Sequence, residues 1–92
     1  MVLVRFTRNI QRHVACPPSQ VPWSEGLTVR GALDAVWCEN PRARGYFLDD
    51  QGAVRRHVVI FLNGEPVLDR TQLAEPVTDG AAIDVMQALS GG

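Results

Sequence analysis

The residues best suited to take part in a chemical reaction are the last two of the sequence, Gly91 and Gly92. Glycine has no β-carbon and adopts nearly any backbone conformation, so such an end can thread through a narrow channel in another protein. The carboxylate of Gly92 is sterically open, but a carboxylate is a poor acyl donor until one of its oxygens becomes a leaving group. Because chain ends are also commonly flexible without any role, the significance of this pair depends on the fold that precedes it.

The other reactive side chains are scattered. His13 and Cys16 have the H-x-x-C spacing, whereas Cys38 and His57 stand alone. Structural zinc sites usually show two close pairs of ligands, so we predict no metal site. Cysteine often behaves as a small buried hydrophobe, and we expect core or partial burial for Cys38 rather than a catalytic thiol.

Length and charge limit the possible functions. With 92 residues the chain has the size of one domain with a modest core. Its net charge is -1 at pH 7, and all nine basic residues are arginine. This balance is atypical of nucleic-acid-binding proteins, which need a basic face. We expect no nucleic-acid partner and no membrane association. Since we recognise no export signal, we expect the protein in the cytoplasm with reduced thiols.

The first part of the chain predicts two strands and a helix. Alternating apolar residues indicate a strand over residues 2–7 with one buried face. Prolines restrict the next segment, so we place a short edge strand between residues 12 and 24. Helical spacing of apolar residues predicts a helix over residues 29–40, with Thr28 as its N-cap. The apolar stripe of this helix consists of Val29, Leu33, Val36 and Trp37.

The second part predicts a hairpin. Pro41 ends the helix, and one further helical turn is compatible with residues 42–48. The longest apolar strand is predicted over residues 54–62, and both of its faces are apolar. Asn63-Gly64 follows at once and is a strong signal for a type I′ turn. A short strand over residues 65–68 would then return alongside the first.

A last strand around residues 83–85 completes an α+β arrangement. We predict a β-grasp, or ubiquitin-like, fold in which a mixed sheet of four to five strands packs on one helix. The helix supplies the crossover that lets a later strand lie parallel to the first. Trp23 and Trp37 are expected in the core. Residues 1–88 would form the domain, and residues 89–92 a flexible C-terminal tail.

Several segments resemble the ThiS/MoaD family of ubiquitin-like sulfur carriers. Residues 58–64 resemble its V-x-V-N-G strand and turn, residues 28–33 its T-V-x-x-x-L helix start, and residues 79–92 its D-G-D-x-V-x-I…G-G close. The family often has aspartate where Ala81 stands and proline where Gln87 stands. In layout the chain is most similar to the cysteine-biosynthesis carriers or to the MoaD branch.

The resemblance implies a carrier rather than an enzyme, or the small subunit of a synthase. An E1-like enzyme of the ThiF or MoeB type would use ATP to adenylate Gly92, while the carrier itself binds no cofactor. Sulfide or a persulfide, from a desulfurase- or rhodanese-type donor, would then displace AMP and leave a thiocarboxylate. A downstream synthase would consume the sulfur. Two alternatives stay open: a ubiquitin-like modifier joined through Gly92 to target lysines, and an interaction module whose end is never activated.

A partner enzyme must also grip the folded domain. We expect Val59, Phe61 and Met86 on the outward face of the sheet, where together with Leu89 they would bind partners. Packing of these side chains under the loop of residues 69–77 is the competing interpretation. Two interpretations are open for Arg5, Arg55 and Arg56. They would flank the patch as a charged rim, or they would form a solvated charged face.

Overall fold

The computed structural model describes residues 1–7 and 17–87 of the chain. The described part contains five strands and two helices. In chain order these are β1 (Val2–Phe6), β2 (Ser19–Val21), α1 (Val29–Glu39), α2 (Pro41–Phe47), β3 (Val58–Leu62), β4 (Glu65–Pro66) and β5 (Ala82–Gln87).

The five strands form one mixed sheet in the order β2-β1-β5-β3-β4. β1 and β5 are parallel neighbours at its centre, and every other pairing is antiparallel. A parallel pair needs a long crossover connection, and the segment that carries both helices lies within it. The predicted β-grasp topology is confirmed. The predicted edge strand is also confirmed in the described residues, at Ser19–Val21.

Helix α1 begins at a side-chain cap and buries one stripe. The hydroxyl of Thr28 accepts a hydrogen bond from the amide of Gly31, at 3.2 Å, which satisfies one of the free amides of the first turn. The helix ends at Glu39, close to the predicted boundary. The side chains of its predicted apolar stripe are all buried in the core, together with Ala32.

Pro41 begins a second helix as well as following the first. Asn40 leaves helical geometry, with φ -133° and ψ 66°, and α2 then runs for seven residues from Pro41. Proline suits this position because an amide hydrogen at the first residue of a helix would have no acceptor within the helix. The sheet therefore packs on two helices rather than one, and α2 is longer than the single turn predicted. It buries Phe47, whose ring stacks on Trp37 with 5.3 Å between ring centroids.

The predicted strand over residues 54–62 was wrong in its first half, since β3 begins only at Val58. Val54 forms an isolated bridge with Leu48, and its amide donates to the carbonyl of Arg70. The amide of Val58 bonds back to the carbonyl of Arg55, at 3.0 Å, so the chain turns before the strand starts. The backbone amides of Val54 and Val58 therefore bond to carbonyls outside the sheet, although the apolar pattern predicts a strand in this region.

The predicted Asn63-Gly64 turn is confirmed, because both residues have positive φ, at 51° and 84°. The side-chain Oδ1 of Asn63 accepts from the backbone amide of Ala82, at 2.9 Å. The backbone amide of Asn63 donates to the carbonyl of Ala82. The turn is thereby fixed to the start of β5. The returning strand β4 is shorter than predicted and ends at Pro66.

The core lies between the inner face of the sheet and the two helices, and Trp37 belongs to it. The prediction for Trp23 was wrong: this side chain is 39% exposed. Its indole Nε1 donates to the carbonyl of Val77, at 2.7 Å, so the ring covers a loop with its polar end satisfied. In the described ranges neither helix has the length and apolar character needed to cross a membrane.

Candidate functional site

The central pair of strands determines where the chain end leaves the domain. β5 ends at Gln87, in the middle of the sheet, and residues 88–92 follow it. β1 runs parallel to β5, with Phe6 opposite Val85, so both strands end on the same side of the domain. The segment that carries the predicted reactive end therefore starts from a central strand held by neighbours on both sides.

Three of the predicted site residues, Leu89, Gly91 and Gly92, lie outside the described residues. His13 and Cys16 lie outside them too. The roles of Leu89, Gly91 and Gly92 stay predictions, and the geometry of the site is that of the surface from which they depart.

The structure brings the other predicted partner-binding residues together on one face. Val59 of β3 lies directly opposite Met86 of β5, and Phe61 lies opposite Asp84. Directly paired residues project to the same side of a sheet, so all four side chains share the face turned away from the helices. Met86 is 39% exposed, while Val59 and Phe61 are half-buried. We call Val59, Phe61, Asp84 and Met86, with Arg5 of β1, the outer face.

The competing placement under the loop of residues 69–77 does not match the hydrogen bonds of that loop. Its carbonyls at Leu73 and Glu75 accept from the amides of Arg30 and Val29, at 3.0 Å each. Leu73 itself is buried in the core. The loop therefore packs along the start of α1, on the helix side of the sheet.

A charge pair interrupts the apolar surface of the outer face. Arg5 Nε donates to Asp84 Oδ1 at 2.8 Å, and Arg5 Nη2 donates to Asp84 Oδ2 at 3.0 Å. This two-bond geometry is the strong form of an arginine–carboxylate contact. The hydrogen bond and the charge of Asp84 raise the pKa of Arg5 above its ordinary value. A shallow depression of about 260 Å³ lies beside the pair, and its lining includes Thr7 and Met86.

Only one of the three predicted flanking arginines lies on the outer face. Arg5 does so through its pairing with Asp84. Arg55 instead donates from Nε to the carbonyls of Gly45 and Leu48, at 2.9 and 3.1 Å, beside the end of α2. Arg56 is exposed in the turn before β3. A charged rim is therefore limited to a single fixed ion pair, and the exposed Arg56 fits the alternative of a solvated charged face.

Sequence patterns missed a contact at the end of β5. The hydroxyl of Tyr46, in α2, donates to Oε1 of Gln87 at 3.2 Å. The ring of His57 meets the ring of Tyr46 edge-on, with 5.2 Å between centroids. The sequence predicts only one further helical turn around Tyr46, and no motif marks this residue. The available signal was Gln87 itself, which stands where the resembled family often has proline.

The described thiol and imidazole form no metal centre. Cys38 is exposed, so the expectation of core or partial burial was wrong. It follows Trp37 on α1 and falls outside the stripe that faces the core. In the parts of the chain that the structure describes, no three residues of the metal-ligating types are grouped.

Comparison with known proteins places these features in a family. The family model described as "ThiS family" matches residues 4–92. The chain belongs to the ThiS family. Membership of this family supports a sulfur carrier or a ubiquitin-like modifier, and it agrees with a protein that is not itself an enzyme. No curated protein sequence shows significant similarity to this ThiS-family chain.

Solved structures share the fold of this ThiS-family chain. SAMP1 from Haloferax volcanii is 22% identical, with a TM-score of 0.81, and the match covers 99% of this chain and 98% of that one. CysO, in the BexX/CysO complex from Amycolatopsis orientalis, is 19% identical with a TM-score of 0.78, over all of both chains. Urm1 from Trypanosoma brucei is 18% identical with a TM-score of 0.72, over 99% of this chain and 94% of that one. At these identities the similarity establishes the ubiquitin-like β-grasp fold.

Proposed function

We propose that this protein is a sulfur carrier whose Gly92 carboxylate is adenylated by an E1-like enzyme of the ThiF or MoeB type and converted to a thiocarboxylate. The observation that carries the proposal is that the family match reaches residue 92, where the sequence reads Gly91-Gly92. A β-grasp domain followed by this pair has the parts that such a carrier requires. ATP is a substrate of the partner enzyme, and the carrier holds no cofactor of its own.

The proposed chemistry asks only for an acyl end from the carrier. A carboxylate oxygen of Gly92 attacks the α-phosphorus of ATP, and pyrophosphate leaves. Hydrosulfide then attacks the acyl carbon, the bond from that carbon to the AMP oxygen breaks, and AMP leaves with the electron pair. A desulfurase- or rhodanese-type donor would hold this sulfur as a persulfide, and a thiol reductant would release it as hydrosulfide and be oxidised to a disulfide. Because no side chain of the carrier takes part, the carrier acts as a substrate of other enzymes and not as a catalyst. We propose that it does so in the cytoplasm.

The fold supports this role by holding the base of the reactive end. β5 is bonded to β1 on one side and to β3 on the other, and Gln87 is additionally held by Tyr46. A partner that binds the domain thus receives the following segment from a defined point. Glycine at the last two positions would allow those residues to enter a narrow active site.

We propose the outer face as the docking surface for the activating enzyme. Met86 and the half-buried Val59 and Phe61 offer apolar area next to the end of β5, and Leu89 would extend it along the tail. Burying a large apolar side chain is worth about 1.5–3 kcal/mol, enough for one residue to dominate such a contact. The charge pair of Arg5 and Asp84 adds a directional element, which favours one orientation of the partner.

Intact mass spectrometry tests the carrier function. The protein is incubated with ATP, a purified E1-like enzyme and sulfide, and the expected product is heavier by the difference between one sulfur and one oxygen atom. Omission of ATP and deletion of Gly92 should each abolish the gain. A full gain in the Gly92 deletion variant, or none with an activating enzyme that converts its own known carrier, would refute the proposal.

Two structural relatives favour a second candidate function and a class of partner. Small archaeal modifier protein 1 matches 96% of this chain, which favours a ubiquitin-like modifier joined through Gly92 to target lysines. High-mass conjugates in cell extract that disappear on deletion of Gly92 would support that function. The BexX/CysO complex shows CysO assembled with a second protein, and a downstream synthase is the class of partner that we propose for this carrier. The product of that synthase would be cysteine, molybdopterin, thiamine or a specialised metabolite.

A further inference from the structure

Two guanidinium groups converge on Gly52, away from any residue assigned above. The point at which a β-carbon would stand on Gly52 lies 3.2 Å from Nη1 of Arg30 and 3.7 Å from Nη2 of Arg44. Arg30 belongs to α1 and Arg44 to α2, so the two helices bring these cations to one place. Gly52 has φ of +83°, a conformation that other residues adopt only with strain, and the absence of a β-carbon lets both guanidinium groups come this close to its backbone.

The backbone holds the guanidinium of Arg30 in place. Its Nε donates to the carbonyl of Gln72 at 2.8 Å. Its Nη2 donates to the carbonyls of Gly52 and Thr71, at 2.7 and 2.8 Å. These three bonds use the hydrogens of Nε and Nη2 and leave those of Nη1, the atom that comes closest to the β-carbon position of Gly52. A donor fixed in this way loses little conformational entropy when it binds a ligand.

Neither cation is neutralised by a carboxylate within the described ranges. The side chain of Arg30 bonds only to carbonyls, and the side chain of Arg44 forms no hydrogen bond or ion pair with any described residue. The nearby carboxylate of Asp49 accepts from the amides of Gln51 and Ala53, at 2.9 and 3.0 Å. Two like charges placed close together repel each other, and an anion between them reverses that cost.

We propose that Arg30 and Arg44 form a phosphate-binding site beside Gly52. A phosphate group carries up to two negative charges and directs its oxygens tetrahedrally, so it can accept from donors that approach from two helices. A carboxylate is flat and carries one charge, and it pairs best with a two-atom fork of one arginine. Arg30 cannot offer that fork, since Nε and Nη2 are already engaged, so a ligand shared by both arginines benefits from acceptors that point in more than two directions. The site serves free phosphate or the phosphate of a monoester, and it is independent of chemistry at Gly92.

Nuclear magnetic resonance of the ¹⁵N-labelled protein tests the site. Inorganic phosphate, glycerol phosphate and acetate are titrated separately, each against sodium chloride at the same ionic strength. The amide of Gly52 and the Nε signals of Arg30 and Arg44 should shift and saturate with phosphate. Saturation with glycerol phosphate as well assigns the site to monoesters, and saturation with inorganic phosphate alone assigns it to the free ion. Acetate should bind at least about tenfold more weakly, because it lacks the second charge and the tetrahedral acceptors.

Arg42 provides a matched control, since it is an exposed arginine of the same helix as Arg44. R44Q and R42Q lower the net charge equally. R44Q should weaken phosphate binding about tenfold, the effect of losing one charge-assisted hydrogen bond. R42Q should change it by about twofold or less, because salt screens a charge outside the site. Equal losses in both variants, or chloride shifts as large as those with phosphate, would overturn the proposal.

Discussion

Tyr46 and Gln87 connect the second helix to the last residue of the central strand. The hydroxyl of Tyr46 donates to Oε1 of Gln87 at 3.2 Å, in partly buried surroundings. Gln87 also pairs with Val58, so the backbone of this residue is held by β3 and its side chain by α2. The family often has proline at this position, and a proline ring would restrict the backbone φ angle without any side-chain hydrogen bond. In this chain the hydrogen bond from Tyr46 restrains residue 87 instead.

A double-mutant cycle on this pair should reveal a favourable coupling. Y46F removes the hydroxyl but keeps the ring against His57, and Q87A removes the acceptor. Each single variant should lower the free energy of unfolding by about 1 kcal/mol, and the double variant by less than the sum. Urea denaturation of the four proteins measures the coupling. Additive losses would show that the hydrogen bond contributes nothing to stability.

Elements with a strong local cause could be predicted from the sequence. The N-cap at Thr28 and the turn at Asn63-Gly64 each depend on a side chain acting on its own neighbourhood. The buried stripe of α1 follows from helical spacing alone. These features do not depend on the rest of the fold, so a single sequence contains what is needed to find them.

Predictions failed where distant groups compete for the backbone or for space. Arg70 donates from Nη2 to the carbonyls of Arg55 and Val58, at 2.7 and 2.6 Å, in the region where the longer strand had been predicted. Trp23 found an acceptor at Val77, 54 positions along the chain, and stayed partly exposed. The convergence of Arg30 and Arg44 on Gly52 likewise depends on two helices and a turn. Local patterns contain no information on such contacts.

M86A and L68A should separate docking from general surface hydrophobicity. Met86 lies on the outer face and is 39% exposed, while Leu68 lies after β4 and is 84% exposed. If the outer face binds the activating enzyme, M86A should raise the KM for the carrier about fivefold to tenfold, with little change in kcat. L68A should leave the KM within about twofold. Steady-state adenylation assays measure both, and an equal rise in the two variants would contradict this docking surface.

Two glycine substitutions should act in opposite directions. Gly64 has φ of +84°, so G64A places a β-carbon in an unfavourable conformation and should destabilise the fold by about 1–2 kcal/mol. Gly45 lies within α2, and a β-carbon there would meet no described atom within 4 Å. G45A should therefore stabilise the fold by about 0.5–1 kcal/mol, through the helix preference of alanine. Thermal unfolding measures both shifts, and a stabilising G64A would contradict the turn geometry.

Asp69 should make stability depend on pH in the acid range. Its carboxylate accepts from the amides of Gln72, Ala74 and Thr71, which lower its pKa to about 2. The loop so fixed carries carbonyls that hold Arg30. An unfolded aspartate titrates near pH 3.9, so the folded protein binds fewer protons between that pH and about 2. The contribution is therefore fully present above the unfolded pKa and is lost as the pH falls through this window.

The comparison of the wild-type protein with D69A from pH 7 to pH 2 tests this dependence. Both proteins are unfolded with urea at each pH, and the difference between their free energies of unfolding is plotted. The difference should be constant from pH 7 to about pH 5 and should then shrink toward pH 2, because protonated Asp69 can no longer accept these bonds as an anion. A difference that stays constant to pH 2 would mean that the loop is held by its backbone and by Arg30 alone, without the charge of Asp69.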